Sequence, residues 1–345
     1  RADGSPAVTV TVVQEAGVPG APVSPKLETN LAIGLLAGTV LGLLLMIVRE
    51  LTDTRLKSER DVLAVTVSPV LGRIPFDDKA KSRPLVVQAD PHGPLAEAYR
   101  QLRTNLEFAV SAGRGRTVLF TSSIPGEGKS STAINLAMSM AAAGSRVCLV
   151  DADLRRPGVG RYTDLESSVG LSTVLIGAAD LDSALQPWGP NLQVVMSGEL
   201  PPNPSELLGS AAMGELLDDL DNRFDIVVLD GAPLLPVTDS AVLSRRVAAV
   251  VMVVGTRELR RRELQRSLSD LETIDAPVVG VVLTKVPTKG PNGSGLKTYG
   301  YQATGAITVD GEPVVPASPA VTRSADRVPT DDGTLVGASA RRSDG

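Results

Sequence analysis

Through the middle of the chain, short apolar runs alternate with segments whose apolar residues recur every three or four positions. The runs at 117–121, 146–150, 192–196, 225–229, 247–254 and 277–283 read as strands. Helical patterns fall at about 130–143, 205–220, 238–245 and 258–273. Strands that alternate with helices predict an α/β fold with a mainly parallel sheet covered by helices on both faces. Ligands of such sheets gather beyond the carboxyl ends of the strands.

A different pattern precedes this region. Residues 31–48, LAIGLLAGTVLGLLLMIV, carry no charge, and as a helix they cover about 27 Å, close to the hydrocarbon thickness of a bilayer. The stretch starts late and has neither a basic flank nor a small-residue cleavage site, so it reads as one transmembrane helix rather than a signal peptide. Arg49, Arg55, Lys57 and Arg60 follow it, whereas only Arg1 and Lys26 precede it, which puts the C-terminal side in the cytoplasm. Gly34, Gly38 and Gly42 share one helix face, a spacing that permits close helix packing.

The chain then divides into an external piece at 1–30, whose AVTVTVVQEA alternates like a strand end, and the span at 31–48. A juxtamembrane helix and a proline-containing linker occupy 49–94, followed by a cytoplasmic domain at 95–285. Residues 286–345 are rich in Gly, Pro, Ser and Thr with little periodicity and read as a disordered tail. The first residue is Arg1 rather than Met, which reads as a fragment or a processed chain.

Composition removes several options. The net charge of −5 gives no reason to expect general affinity for nucleic acid. One cysteine and one histidine exclude internal disulfides and Cys/His zinc clusters. Cys148, inside VCLVD, reads as a packed core residue, and His92, between Pro91 and Gly93, as part of a polar loop.

The candidate chemistry starts at TVLFTSSIPGEGKSS, residues 117–131, a strand running into a glycine-bearing turn and then a helix. This layout holds the phosphates of ATP or GTP. Gly126 and Gly128 let backbone N–H groups approach phosphate oxygens, with Glu127 and Ser131 as further loop positions. Lys129 is placed to reach the β and γ phosphates, and Ser130 to ligate Mg²⁺. The helix that follows turns its positive end to the same anion. Ser123 stands where the full G-x-x-x-x-G-K-[ST] pattern has its first glycine.

Two acidic motifs end strands of the same domain: Asp151 and Asp153 in RVCLVDADLRRP, and Asp230 in FDIVVLDGAP. A carboxylate near Mg²⁺ fixes its water shell, and a second can accept the nucleophile's proton. The motifs of eukaryotic-type kinases (H-R-D, D-F-G and a covering G-x-G-x-x-G) are absent from the sequence.

Taken together, these residues resemble the bacterial tyrosine kinases (BY-kinases) of capsule and exopolysaccharide synthesis. SIPGEGKSS looks like their Walker A, LVDADLRRP their Walker A′, and IVVLDGAPLLPVTD their Walker B with its downstream Asp239. MSGELPPNPSELLGS is similar to another family stretch, and EAYRQLRTNLEFA to the helix carrying the E-x-x-R-x-x-R motif, here Glu97, Arg100 and Arg103. Upstream, APVSPKLETNLAIGLLAGTVLGLLL with VSPVLGRIP resembles the end of the chain-length-determinant module fused to such kinases.

The resemblance implies a P-loop protein-tyrosine autokinase in the bacterial cell membrane, using MgATP, with its kinase domain in the cytoplasm. It implies a ring of copies assembled through Glu97, Arg100 and Arg103, each phosphorylating tail tyrosines of its neighbour. The polysaccharide export machinery and a cognate phosphatase are the implied partners. Carried over by position, Lys129 holds phosphates and Ser130 the Mg²⁺. Asp151 is the candidate base, and Asp153 and Asp230 support the metal, with the division of roles between Asp151 and Asp153 left open.

Two departures matter. The partitioning relatives of this family carry a lysine early in the loop, where this chain has Ile124. Family tails often hold a dense tyrosine cluster, where this one has only Tyr299 and Tyr301 in KTYGYQ. The competing readings are an ATP-binding or ATP-hydrolysing membrane scaffold without tyrosine transfer, and, less favoured, a partitioning-type ATPase. Without the resemblance, Glu97, Arg100 and Arg103 would read as a solvated charge row. Arg257, Arg260, Arg261, Arg262 and Arg266 read as a solvated helix surface, with an anion patch as the weaker alternative.

Overall fold

The computed structural model describes residues 24–78, 84–111 and 115–288, with isolated positions 11, 17–18 and 20 and two short strands at 308–309 and 312–313. Eight strands form one sheet: β1 (Val70–Pro75), β2 (Thr117–Ser122), β3 (Val147–Asp151), β4 (Leu185–Pro187), β5 (Leu192–Val195), β6 (Ile226–Asp230), β7 (Ala249–Gly255) and β8 (Val278–Val286). Their order is β1-β8-β7-β2-β6-β3-β5-β4. Every neighbouring pair is parallel except β4 with β5.

Alternation along the central strands sorts the side chains into two cores. On one face Val118, Phe120, Leu149, Val228 and Val251 pack under the helices Pro94–Ser111 and Lys129–Ala142, against Leu102, Leu106, Ile134 and Met140. On the other, Leu119, Val150, Val227, Leu229 and Met252 meet Leu208, Leu217, Leu220, Leu243, Leu264 and Leu271. Those leucines come from the helices Pro204–Leu208, Ala211–Arg223, Asp239–Ser244 and Arg261–Thr273. A sheet buried on both faces needs apolar residues at every position, which is why its strands read as continuous runs.

All six strands expected from sequence are present, within a few residues at their ends. β1 and β4 were not expected. β1 lies inside the stretch read as linker, and Pro69, Gly72 and Pro75 hid it. Proline is tolerated there because β1 is an edge strand. It still belongs to the sheet, since Leu71 and Ile74 are buried and Asn105 donates to the Leu71 carbonyl at 2.7 Å. The single helix expected at 205–220 is two, because the Ser210 hydroxyl accepts the Met213 N–H and starts a second helix after Gly209.

The apolar span lies within one helix, Leu27–Thr52, whose most apolar window has a mean hydropathy of 2.6 and whose residues are all exposed in the isolated chain. Two residues further on, the backbone joins the α/β domain. Thr54 accepts the Arg261 N–H at 3.0 Å, Leu56 donates to Leu259 at 2.9 Å, and Arg257 donates to Leu56 at 2.7 Å. The Leu56 side chain is buried. A capping box of Ser58 and Asp61 then opens the short helix Glu59–Leu63.

The strand end read in residues 7–16 lies almost wholly outside the described residues, as do Tyr299 and Tyr301. Within the second compact unit, Gly300–Gly345, the described residues form one small antiparallel pair, Thr308–Val309 with Glu312–Pro313.

The stripe of the Pro94–Ser111 helix is tested at its centre, where Leu102 is fully buried. Leu102→Ala is expected to cost roughly 2–5 kcal/mol, read as a lower midpoint in denaturant unfolding of the detergent-solubilised chain.

Candidate active site

The phosphate loop leaves β2 at Ser122 and enters the Lys129–Ala142 helix. Gly126 and Gly128 take φ of 90° and 88°, a region that penalises any side chain, so this turn needs glycine at both positions. Glu127 lies between them. Its buried carboxylate accepts the Ile124 N–H at 2.8 Å and the Gly255 N–H at 2.9 Å, tying the loop to the end of β7. Burial pushes this carboxyl up to about 7. The Thr284 hydroxyl donates to the Glu127 carbonyl, and Lys285 Nζ to the Gly126 carbonyl at 2.7 Å, so β8 braces the same loop.

The structure brings Lys129, Ser130, Asp153 and Asp230 together. Lys129 Nζ lies 2.6 Å from Asp230 Oδ1, 3.7 Å from Asp153 Oδ2 and 3.4 Å from Ser130 Oγ. Burial alone would lower the lysine pKa, but Asp230 and Asp153 outweigh it and the net shift is upward. Asp230 Oδ2 is buried without a hydrogen-bond partner. The backbone of Gly158 closes on the same point, since a Cβ there would stand 2.3 Å from Ser130 Oγ and 3.2 Å from Asp230 Oδ2.

Asp151 differs from Asp153. Asp151 faces Asp230 across the β3–β6 ladder and is fully buried. Its Oδ2 accepts the Val159 N–H at 2.9 Å and its Oδ1 the Asp153 N–H at 3.3 Å. Burial, and then the Asp230 charge, push it up to about 7. Asp153 lines an open cleft of about 540 Å³ together with Gly126, Lys129, Ser130, Arg156 and Tyr162. Asp239 is buried and held by the Arg155 guanidinium, at 2.7 and 3.1 Å, and by the Ser205 hydroxyl.

Sequence reasoning did not find the role of Thr284 and Lys285, which it set at the end of the domain. Nor did it single out the Arg156 and Tyr162 side chains that line the cleft. The proximity of β8 to the loop comes from sheet order, which no local pattern carries. The E-x-x-R-x-x-R residues lie away from the cleft. Glu97 and Arg100 form an ion pair at 2.7 Å, while Arg103 donates to the Ser139 carbonyl at 3.0 Å, in the last turn of the phosphate-loop helix.

A metal and a nucleotide fit this site by one observation above all, the orphaned Asp230 Oδ2 beside a serine hydroxyl and a phosphate-type loop. Among the described residues no group of three or more His, Cys, Asp or Glu is arranged to hold a metal.

The fold and the loop define a P-loop nucleotide-binding protein. A family profile described as an AAA domain matches residues 115–260. The tyrosine-protein kinase YwqD of Bacillus subtilis is 35% identical over 223 residues, covering 64% of this chain and 92% of that protein. The tyrosine-protein kinase ptk of Acinetobacter johnsonii is 31% identical and is covered over 39% of its length by 80% of this chain. The kinase domain of the Escherichia coli tyrosine kinase ETK superposes with a TM-score of 0.62 at 29% identity, covering 65% of this chain and 92% of that domain. This chain belongs to the bacterial tyrosine-kinase family.

The Glu127 carboxyl binds a proton more readily in the folded than in the unfolded chain, so its contribution to stability falls as pH rises from about 4.5 to 7. Glu127→Gln is expected to flatten the nucleotide-free thermal midpoint across that window. An unchanged slope would show that Glu127 titrates as an ordinary carboxylate.

Proposed function

We propose that this chain is a membrane-anchored tyrosine autokinase that moves the γ-phosphate of ATP to Tyr299 and Tyr301 of a neighbouring copy. Lys129, buried between Asp230 and Asp153 at the mouth of the phosphate loop, is the observation that carries the reading. The named tyrosine-protein kinases to which the chain is 31–35% identical support it. Mg²⁺, held by Ser130 and Asp230 with Asp153 beside it, would neutralise the charge that develops on the phosphate oxygens.

Lys129 moves from Asp230 toward the phosphates, which frees an Asp230 oxygen. The Gly126–Gly128 turn and the helix start bind the phosphate chain through backbone N–H groups. Asp153 is the carboxylate that lines the cleft, so it is placed to take the phenol proton, and it would lie beside a bound Mg²⁺. Asp151, with both oxygens engaged by backbone N–H groups, holds the β3 exit in place and keeps Asp153 aimed. This exchanges the emphasis that the resemblance placed on the two residues. A positioned base is needed because a phenol of pKa about 10 is a poor nucleophile at neutral pH.

The thirteen residues that follow Val286, up to Tyr299, extend to about 45 Å, enough to reach an adjacent subunit. The Leu27–Thr52 helix anchors the chain, with the kinase domain on the cytoplasmic side and a chain-length-determinant module before it. Cycles of phosphorylation would act on polysaccharide length and export, with the ring contact at Glu97, Arg100 and Arg103 and a phosphatase closing the cycle.

Incubation with MgATP followed by phosphopeptide mass spectrometry tests this. Tyrosine phosphate is expected at positions 299 and 301, absent in Lys129→Met and reduced on the order of 100-fold or more in Asp153→Asn. Full labelling of Lys129→Met would overturn the site. Nucleotide binding without any tyrosine phosphate would leave the scaffold reading.

A further inference from the structure

The segment Arg257–Arg266, RELRRRELQR, holds five arginines, all exposed. None forms a salt bridge among the described residues. Of the two carboxylates in the segment, Glu258 pairs with Lys285 Nζ at 2.6 Å, while Glu263 stays within the cluster and accepts the Arg260 N–H at 2.8 Å. Arg262 and Arg266 stand one turn apart on the Arg261–Thr273 helix and share a face. A solvated helix surface explains exposure; the five arginines outnumber Glu258, Glu263 and the Asp61 beside Arg261, so the charge at the helix end joined to the segment that leaves the membrane span is net positive.

That junction fixes the height of the cluster. The Leu27–Thr52 helix ends two residues before Thr54, whose carbonyl accepts the Arg261 N–H at 3.0 Å. Arg55 bridges Arg260 in antiparallel fashion, and its guanidinium donates to the Arg257 carbonyl at 3.3 Å. Two residues extend to about 7 Å, so the Arg261 backbone is held within about 10 Å of the end of the membrane helix. The headgroup layer of one leaflet is several Å deep, and an arginine reaches a comparable distance from its backbone.

We propose that Arg257, Arg260, Arg261, Arg262 and Arg266 form a docking surface for the phosphate headgroups of anionic lipids in the leaflet the span leaves. It rests on the reading of Leu27–Thr52 as a membrane span. The surface seats the kinase domain on the bilayer at the end of β7, beside the Gly255–Glu127 tie to the phosphate loop. Each arginine near an anionic surface contributes about fivefold to the docked population, so three together contribute on the order of 100-fold.

The test uses the full chain carrying Gln265→Cys, labelled with a donor fluorophore. Cys148 is buried and leaves the label to one site. Energy transfer to a headgroup acceptor is measured in vesicles of phosphatidylcholine, alone or with phosphatidylglycerol. Phosphatidylglycerol is expected to raise the transfer. The rise should vanish at about 1 M salt, where the Debye length is about 3 Å, and in Arg257→Gln/Arg262→Gln/Arg266→Gln. That variant should keep its basal autophosphorylation in detergent, which shows it folded. Equal transfer in both lipids, or a rise that survives the triple substitution, overturns the proposal. So does salt-sensitive binding of a DNA duplex without any response to phosphatidylglycerol. Carbonate extraction separates the premise: a chain that leaves the vesicles refutes the span, whereas a retained chain without the lipid response refutes the docking surface alone.

Discussion

A lysine ammonium buried among carboxylates is the constraint on which the rest of the domain depends. Burial works against the charge on Lys129, and Asp230 and Asp153 outweigh it; removing one partner of such a buried group costs about 3–5 kcal/mol. The three residues come from the phosphate-loop helix, the end of β6 and the turn after β3. Their pairing therefore requires that β2, β6 and β3 lie side by side with their carboxyl ends level. Sheet order and site are one requirement seen twice.

Support for the loop comes from behind. Most of the phosphate-binding surface is backbone, which has no means of holding its own shape. Glu127 supplies one by placing acceptor oxygens under two N–H groups from different elements. Thr284 and Lys285 supply another from β8 by engaging the carbonyls of the same turn. The loop is thus tied to β7 and β8 as well as continuing from β2.

Much of this was legible in the sequence, for identifiable reasons. Buried parallel strands are long apolar runs, and the acidic residues that end them are visible as breaks in hydrophobicity. The Lys129, Asp153 and Asp230 meeting followed from the rule that ligands collect at strand ends. What escaped was information that no window contains. β1 is a strand because β8 offers it an edge, despite its prolines. The direction of the Glu127 side chain depends on the arrival of β7. Arg103 turned inward to a helix end because the Pro94–Ser111 and Lys129–Ala142 helices lie together on one face.

The two cores carry a consequence of their own. Odd and even residues along β2, β3 and β6 are sorted strictly between faces, and Asp151 pairs with Asp230 in that same register. A slip of one residue would exchange the faces and unseat the carboxylates in a single move. Nucleotide binding therefore reports on strand pairing: a chain that holds a phosphate here has already passed its own proofreading of the sheet.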